Sequence, residues 1–468
     1  MGSASDRTRV IVTITLFVAG LALRLLWLPS WGTFDLEVQK AWAWRAVSSG
    51  LSDIYGPSDH ELMELARSRG GGSLAQGLLQ HALPRTWFEW GTGRYFVDYP
   101  PGSLLVLRAA GQLYALKDEA MHNRWAFNAA INLAPLIGSI AIAMLLRRSS
   151  ADPGSARLRA LAFWLNPAAI LAAPVLGYQD TIFGALALGA ILALSGRRHA
   201  LAFALVVAAG LVKPQGALLL PTALAVLLRE GDRSAWLRSL GAGFLSAALI
   251  LLPWWSSGHL ISALDGCLRP LTQTTLAPLG LNVWWMAGWL MDVRRRGGLP
   301  PARIVGLHEF RAFSGFDPAL VGRGLVLLLA AAVGLWVFRR VREDLRVIPL
   351  SVLLVVHGYA LFGTSVHENH TFLAIVAAPL LLGEWRHARA VLLATSGFLF
   401  ASLFCTAGFG RRVTSLSTVA VLRMAAGIDA SVLVALAHVG LFVALFYWTW
   451  RSAAPRVAVP SDPPGRGP

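Results

Sequence analysis

The chain has 468 residues, of which 56% are hydrophobic and 14% are charged, and its formal net charge is +16. Average soluble domains carry about 25% charged residues, so this composition, with a mean hydropathy of +0.58, excludes a soluble globular protein. It predicts an integral membrane protein that crosses the bilayer many times. The arginines fall mostly in short runs between apolar segments, which is typical of cytoplasmic loops and does not indicate a nucleic-acid partner.

Apolar stretches along the chain predict about twelve membrane-spanning helices, each close to the roughly 20 residues that cross a bilayer or somewhat shorter. They are residues 10–28, 126–146, 160–176, 180–195, 199–212, 216–228, 239–255, 322–338, 347–363, 371–383, 388–407 and 430–450. The first stretch lacks a small-residue cleavage site and is expected to be a retained helix. The sequence therefore predicts an all-α polytopic fold with one integral-membrane domain over residues 1–450. A disordered cytoplasmic tail is expected at 451–468.

Arginine placement predicts the two sides of the membrane, because inner loops are enriched in basic residues. The inner markers are Arg7, Arg9, Arg147, Arg148, Arg197, Arg198, Arg229, Arg339, Arg340, Arg386, Arg389 and Arg451. Alternation then requires residues 30–124 to form one extracytoplasmic loop. Residues 101–116 must consequently be an interfacial or re-entrant helix, and 281–293 need the same treatment because of the arginines that follow at 294–296.

This predicted outer loop begins with a segment that contains two acidic residues. In GTFDLEVQKAW, residues 32–42, Asp35 and Glu37 come directly after the first span. The periodicity that follows predicts an amphipathic helix on the membrane surface, with Val38 and Trp42 on one face and Asp35 at or near its N-cap. Capping and the helix dipole are structural explanations for these two acids.

A second acidic stretch, FVDYPPGSLL, contains Asp98 and Tyr99 and reads as a turn leading into a helix with proline at its first position. Asp98 has capping as its structural explanation. Two acids beside hydrocarbon are costly, however, and this favours a functional explanation for the acids together.

Three more segments place polar or aromatic residues beside apolar ones. The turn GYQD contains Gln179 and Asp180, and LVKPQG contains Lys213 before Pro214, followed by Gln215. An intramembrane lysine is costly and is a functional candidate, with snorkelling to the interface as the alternative. Trp284 and Trp285, in LNVWWMAGW, are compatible with an aromatic belt at the membrane surface.

The short segment SVHENH places His367, Glu368 and His370 between two spans. Two histidines and a glutamate could bind zinc, but the spacing is not that of a helical HExxH motif. Contact with an anionic ligand is the favoured interpretation. Cys267 and Cys405 are far apart and predict neither a disulfide nor a zinc site.

Outward-facing acids with nearby lysine and histidine fit the chemistry of a lipid-phosphate-linked sugar. The phosphate leaves as a stable anion, so the reaction needs no acid to protonate the leaving group. It needs one carboxylate as general base for the acceptor hydroxyl and positive or hydrogen-bond-donating groups around the phosphate.

The order of these motifs resembles that of the endoplasmic-reticulum glucosyltransferases that use dolichyl-phosphate-glucose to extend the lipid-linked oligosaccharide. The resemblance is carried by D-x-E-x-Q-x-x-W at 35–42, DYPP at 98–101, the Gln179 turn, K-x-Q at 213–215, N-x-W at 282–284 and VHE at 366–368. It covers residues from about 10 to 385. The chain departs from the family at Asn369, in the Tyr178-Gln179-Asp180 turn, and in an insert at 56–93.

The resemblance implies a GT-C fold with amphipathic helices in its first outer loop, and inverting transfer without a metal or other cofactor. It implies that Asp35 is the catalytic base and that His367 contacts the donor phosphate. The residues expected to bind substrate are Glu37, Asp98, Tyr99, Gln179, Asp180, Lys213, Gln215, Trp284, His367 and Glu368.

The expected partners are a polyprenyl-phosphate mannose or glucose, a glycan, glycolipid or protein acceptor, and the lipid bilayer. A bacterial inner membrane is the expected location, with the active site facing the periplasm or exterior. A transporter or flippase of a lipid-linked sugar is the alternative function, and a purely structural membrane protein is a third that leaves the outward acids unexplained.

Overall fold

The computed structural model describes residues 4–52, 54–55, 97, 99–122, 124–268, 274–408 and 428–452. These residues form helices and turns, without a named strand in the described ranges. The helices are α1 (Ala4–Trp27), α2 (Phe34–Ser48), α3 (Pro101–Ala115), α4 (Trp125–Arg148), α5 (Pro153–Trp164), α6 (Pro167–Ile170), α7 (Asp180–Ser195), α8 (His199–Val212), α9 (Leu220–Glu230), α10 (Arg233–Ser256), α11 (Leu260–Leu268), α12 (Val283–Arg296), α13 (Leu307–Ser314), α14 (Pro318–Arg340), α15 (Val347–Phe362), α16 (Phe372–Ala377), α17 (Ala388–Ala407) and α18 (Ala430–Ser452). A π-helical turn follows α6 at Leu171–Val175, and 3-10 turns lie at Pro214–Leu219 and Ala378–Leu381.

Six of these helices are long and apolar enough to cross a membrane, and the number rises to seven if the bent pair of α5 and α6 forms one span. The six are α1, α4, α10, α14, α17 and α18. Four shorter apolar helices begin at Asp180, His199, Val347 and Phe372. Over the described ranges the protein is therefore all-α, with several helices that are long and apolar enough to cross a membrane. Each predicted stretch overlaps a helix or a broken helix, and the count of about twelve spans stays a prediction.

Proline marks the break between α5 and α6. Pro167 lacks an amide hydrogen, and the side chain of Asn166 accepts hydrogen bonds from the amides of Ala168 and Ala169 at 2.9 and 3.4 Å. These bonds start a new helix after α5 has ended. The two pieces meet at a bend of 47°, which directs the chain toward the turn at Gly177.

Several loops predicted to be cytoplasmic contact one another at one end of the bundle. Arg159, near the loop after α4, donates from Nη1 to the Ser149 carbonyl at 3.1 Å and from Nε to the Leu382 carbonyl at 3.3 Å. Arg346 donates to the Glu384 carbonyl at 2.9 Å. Because these arginines bind backbone carbonyls of neighbouring loops, the arginine-rich segments form one connected end.

Helix α2 packs against α3 and α4 inside the protein. Val38, Trp42 and Ala46 are buried, as the predicted shared face requires. The prediction of an amphipathic surface helix is wrong, however, because Lys40 on another face is also fully buried. Its amine donates to Asn128 of α4 at 2.9 Å, so this polar side chain has a partner inside the protein.

Helix α3 confirms a helix at the predicted position, and Pro100 is its N-cap. Asp98 lies outside the described residues, together with the insert at 56–93 and the tail from 453 onward. Helix α12 likewise confirms a helix close to residues 281–293. The interfacial placement of α3 and α12 stays a prediction.

Candidate functional site

The candidate site lies at the other end of the helices, where three turns meet the start of α2. The first turn runs from Gly177 to Asp180. Gly177 has φ of +80°, and a Cβ there would lie 3.1 Å from Leu36 Cδ1. The amide of Thr33 donates to the Leu176 carbonyl at 3.1 Å. The turn is thus held directly on the first turn of α2, where Asp35 lies.

Asp35 is the second residue of α2, because the helix begins at Phe34 and Thr33 is its N-cap. The explanation of Asp35 as the capping residue is therefore wrong. The side chain is partly exposed. Its charge acts on two neighbours. Burial, and after it the charges of Glu368 and Asp35, raise the pKa of Tyr178 well above its usual value. Burial lowers the pKa of His367 and Asp35 opposes this shift. Asp35 is thus close to both.

A buried ion pair joins the first turn to the second. The second turn begins at Lys213, where α8 has ended and Pro214 starts a 3-10 turn. The amine of Lys213 donates to Asp180 Oδ1. Asn369 Nδ2, from the third turn, donates to Asp180 Oδ2 at 2.9 Å. The snorkelling alternative for Lys213 is wrong, because only 7% of its side chain is exposed and its amine points into the protein.

A second buried contact joins the first and third turns. The hydroxyl of Tyr178 donates to Glu368 Oε1. Burial raises the pKa of Glu368, although the hydrogen bond from Tyr178 opposes this shift. The other carboxyl oxygen, Oε2, is buried and has no hydrogen-bond partner among the described residues. A carboxyl group in this environment favours its neutral form.

Two glutamines at the site, Gln179 and Gln215, differ in their hydrogen bonds. Gln179 Nε2 donates to Gln39 Oε1 of α2 at 2.9 Å, and both side chains are buried. Gln215 is buried as well, and its Oε1 lacks a hydrogen-bond partner within the described part of the chain. Gln179 therefore holds the first turn to α2.

The third turn, which carries His367, is held by the segment before α12. Ser365 has φ of +58°, its amide donates to the Leu276 carbonyl at 3.1 Å, and its hydroxyl donates to the Thr275 carbonyl at 2.9 Å. About 35% of the His367 side chain is exposed. The backbone is thus fixed while His367 remains accessible.

Trp284 binds the end of α15, the helix that precedes this turn. Its Nε1 donates to the Phe362 carbonyl at 2.6 Å, and the side chain is buried, as is that of Trp285. Asn282 caps α12 and donates to the carbonyls of Ala360 and Gly363 at 3.1 and 3.0 Å. The aromatic-belt prediction is therefore wrong for both tryptophans. The structure places Trp284 against the end of α15 and not among the polar side chains described above.

Glu37 and Tyr99 also make their contacts elsewhere. Glu37 Oε1 accepts a hydrogen bond from Lys40 at 2.8 Å. The ring of Tyr99 packs on Trp42 with centroids 5.0 Å apart, and its carbonyl accepts a hydrogen bond from Tyr55 at 2.8 Å. These residues shape the neighbourhood of α2. Of the predicted set, the structure brings together Asp35, Gln179, Asp180, Lys213, His367 and Glu368.

Four partners were missing from the predicted set. Gln39 and Tyr178 lie inside the motif at 35–42 and the turn at 177–180, so the sequence could have indicated both residues. Asn369 was visible only as a departure from the family pattern. Asn128 had no signal, because it lies in an apolar span far from Lys40 in sequence.

The comparisons with known proteins add no relative. No family model matches the chain. No curated protein matches it either. Within the described ranges, no three His, Cys, Asp or Glu side chains are placed to share a metal ion.

The arrangement offers two kinds of chemistry side by side. Asp35 is a partly exposed carboxylate that can accept a proton. His367, with the ammonium of Lys213 near enough to lower its pKa, offers donor and positive groups to an anion. Asp180 and Glu368 are buried, and they bind Lys213 and Tyr178, respectively.

Proposed function

We propose that the protein is an inverting hexosyltransferase that moves mannose or glucose from a polyprenyl-phosphate sugar to an acceptor of the cell envelope. The observation that supports this proposal is that the first turn of α2, which carries Asp35, meets the turns that carry Lys213 and His367. These residues come from three segments of the chain, and the charges of Asp35 and Lys213 both act on His367. A GT-C fold with about twelve spans in a bacterial inner membrane, and a site facing the periplasm or exterior, belong to the same proposal.

The proposed reaction is a single displacement. Asp35 takes the proton from an acceptor hydroxyl, and the resulting oxygen attacks the anomeric carbon of the sugar. The bond from that carbon to the phosphate oxygen breaks, and the phosphate leaves with the bonding electrons. The partly exposed His367 faces the charge that develops on the phosphate, and the buried ammonium of Lys213 adds its positive charge from inside the protein. No acid is needed for the leaving group, in contrast to glycoside hydrolysis.

Asp35 suits the role of base better than the neighbouring acids. Asp180 already binds Lys213 and Asn369, and only 1% of its side chain is exposed. Glu368 is buried, and its raised pKa favours the protonated form. Asp35 is the partly exposed acid of the three, so an acceptor hydroxyl can reach it.

The position of the polar side chains also favours an enzyme over a transporter. Asp180 begins α7, and Lys213 directly follows the last residue of α8. Both therefore lie at the ends of apolar helices. Transporters of the broken-helix kind bind their substrates near the bilayer midplane.

The test is sugar transfer by purified protein from a panel of short-chain polyprenyl-phosphate hexoses, with released polyprenyl phosphate measured by mass spectrometry. The Asp35→Asn variant is expected to lose turnover by at least about a hundredfold and to keep donor binding. Asp118→Asn is the matched control, because Asp118 lies in another part of the outer region and accepts hydrogen bonds from Tyr114 and His122. Turnover that survives in Asp35→Asn would remove Asp35 from the role of base. Movement of an intact lipid-linked sugar across vesicles, without release of phosphate, would favour the flippase.

A further inference from the structure

A tyrosine and a histidine outside the proposed catalytic set form a contact behind the His367 turn. Tyr359 lies in the last turn of α15, and its ring stacks on His370 with centroids 5.7 Å apart and planes inclined by 18°. The Tyr359 hydroxyl lies 3.2 Å from His370 Nδ1. Tyr359 is positioned by the end of α15, and His370 is positioned by the turn itself.

The same ring nitrogen meets the backbone of His367. The amide of His367 donates to His370 Nδ1 in a long hydrogen bond of 3.4 Å. A backbone amide can only donate, so Nδ1 must carry a lone pair. The Tyr359 hydroxyl must then donate to Nδ1 as well. The hydrogen-bond pattern thus assigns His370 as neutral imidazole with its hydrogen on Nε2.

The surroundings of His370 agree with this protonation state. The side chain is 8% exposed. Burial lowers the pKa of His370 well below its usual value, and the charges of His367 and Lys213 lower it further. A neutral ring can keep accepting the amide hydrogen of His367 over the whole physiological range.

We propose that His370 is a positioning residue, which fixes the backbone of His367 through Nδ1 and so directs the His367 ring toward the donor phosphate. Tyr359 supports it by holding the ring of His370 in one orientation. Ser365 secures the other side of the turn through the Leu276 carbonyl, so the backbone at His367 is held from both sides. The inference rests on the proposed function for the identity of the ligand, and on the hydrogen-bond pattern alone for the tautomer.

The first experiment compares three variants in binding of farnesyl phosphate and in sugar transfer. Asn can place its amide oxygen where Nδ1 lies, so His370→Asn is expected to bind farnesyl phosphate within about threefold of the parent protein. His370→Leu removes the acceptor and is expected to weaken binding about tenfold, with KM for the donor rising more than kcat falls. Tyr359→Phe keeps the ring, loses the hydroxyl and should fall between the two.

The pattern of these results decides the proposal. The proposal would be overturned if His370→Leu bound farnesyl phosphate as tightly as His370→Asn does, because packing alone would then explain the residue. Equal losses in both, with unchanged melting temperatures, would overturn it as well, since the acceptor would then have no effect.

The second experiment does not depend on catalysis. The chain has 11 histidines, so the signal must be assigned by difference. Solid-state ¹⁵N NMR on histidine-labelled protein without ligand should show a signal with a bare Nδ1 and a protonated Nε2 that disappears in His370→Asn. Tyr359→Phe should shift the Nδ1 resonance. A protonated Nδ1 at His370 would overturn the proposal even if sugar transfer is found. A confirmed tautomer in a protein that transfers no sugar would instead count against the proposed function alone.

Discussion

Lys213 and Asp180 form an ion pair that is almost closed to solvent, with 7% and 1% of their side chains exposed. Each residue lies where an apolar helix meets a turn, so the pair ties two turns together at one end of the bundle. Breaking a buried pair by removing one partner destabilises a protein by about 3–5 kcal/mol, because the other charge stays buried.

Lys213→Met is therefore expected to lower the melting temperature in detergent clearly, and Asp180→Asn to lower it less because Asn369 can still bind the amide oxygen. The double variant, Asp180→Asn with Lys213→Met, should recover at least half of the loss of Lys213→Met, since neither charge remains. Arg340→Met is the matched control, because the partner of Arg340, Glu343, is 66% exposed and such pairs contribute about 0–1 kcal/mol. Additive losses in the double variant would show that the two side chains do not depend on each other.

His367→Ala is expected to weaken binding of farnesyl phosphate about 10- to 100-fold, which corresponds to losing a hydrogen bond to a charged group. The melting temperature should change little, because about 35% of the side chain is exposed. His122→Ala is the control, since His122 is paired with Asp118 in the segment between α3 and α4. Isothermal titration measures all three proteins. Binding by His367→Ala as tight as that of the parent would contradict a phosphate contact.

Gly177→Ala is expected to destabilise the protein more than Gly258→Ala does. Both glycines have positive φ, of +80° and +77°, so both substitutions carry a backbone penalty of about 1–2 kcal/mol. A Cβ at 177 would also lie 3.1 Å from Leu36 Cδ1, whereas nothing lies within 4 Å of a Cβ at 258. Melting temperatures of the two variants isolate the effect of crowding. Equal shifts would mean that Leu36 moves aside without loss.

The loop after α12 is expected to loosen in acid. Arg303 donates from Nε to Asp292 Oδ2 at 2.7 Å and from Nη2 to Glu309 Oε1 at 2.6 Å. The hydrogen bonds from Arg303 lower the pKa of Glu309 from its ordinary value of 4.5. A depressed carboxyl pKa stabilises the folded form above pH 4.5, and this contribution disappears as the pH falls through the lower folded value.

Hydrogen exchange of residues 300–310 should therefore speed up as the pH falls below 4.5, after correction for the intrinsic exchange rate. In Arg303→Gln the exchange should already be faster at neutral pH and should depend less on pH. An identical pH dependence in the two proteins would show that the ion pairs of Arg303 do not hold the loop.

The helices could be predicted from the sequence because apolar length and proline placement are local signals. Pro214 stops α8 whichever partners surround it, as predicted. The break at Pro167 was missed, because the apolar stretch 160–176 runs across it and predicts one span. The environment of α2 could not be predicted in this way. Its burial depends on Asn128 offering an amide oxygen to Lys40. A contact between distant segments leaves no periodic signal in either of them.

The same limit applies to the candidate site. Asp35, Lys213 and His367 were identifiable because charged or polar residues beside hydrocarbon are rare. Asn369 and Asn128 were not, because amide side chains at turns and helix ends are common for many reasons. Their roles became visible only when the structure showed which groups they bind. Trp284 shows the reverse error, since a motif residue turned out to contact a helix end.

The hydrogen bond from the Lys40 amine to the Asn128 side-chain oxygen has a consequence for biosynthesis. The two residues are 88 positions apart, so the ribosome releases α2 well before the partner of its lysine exists. Helix α2 therefore cannot reach its final packed position until α4 has entered the bilayer.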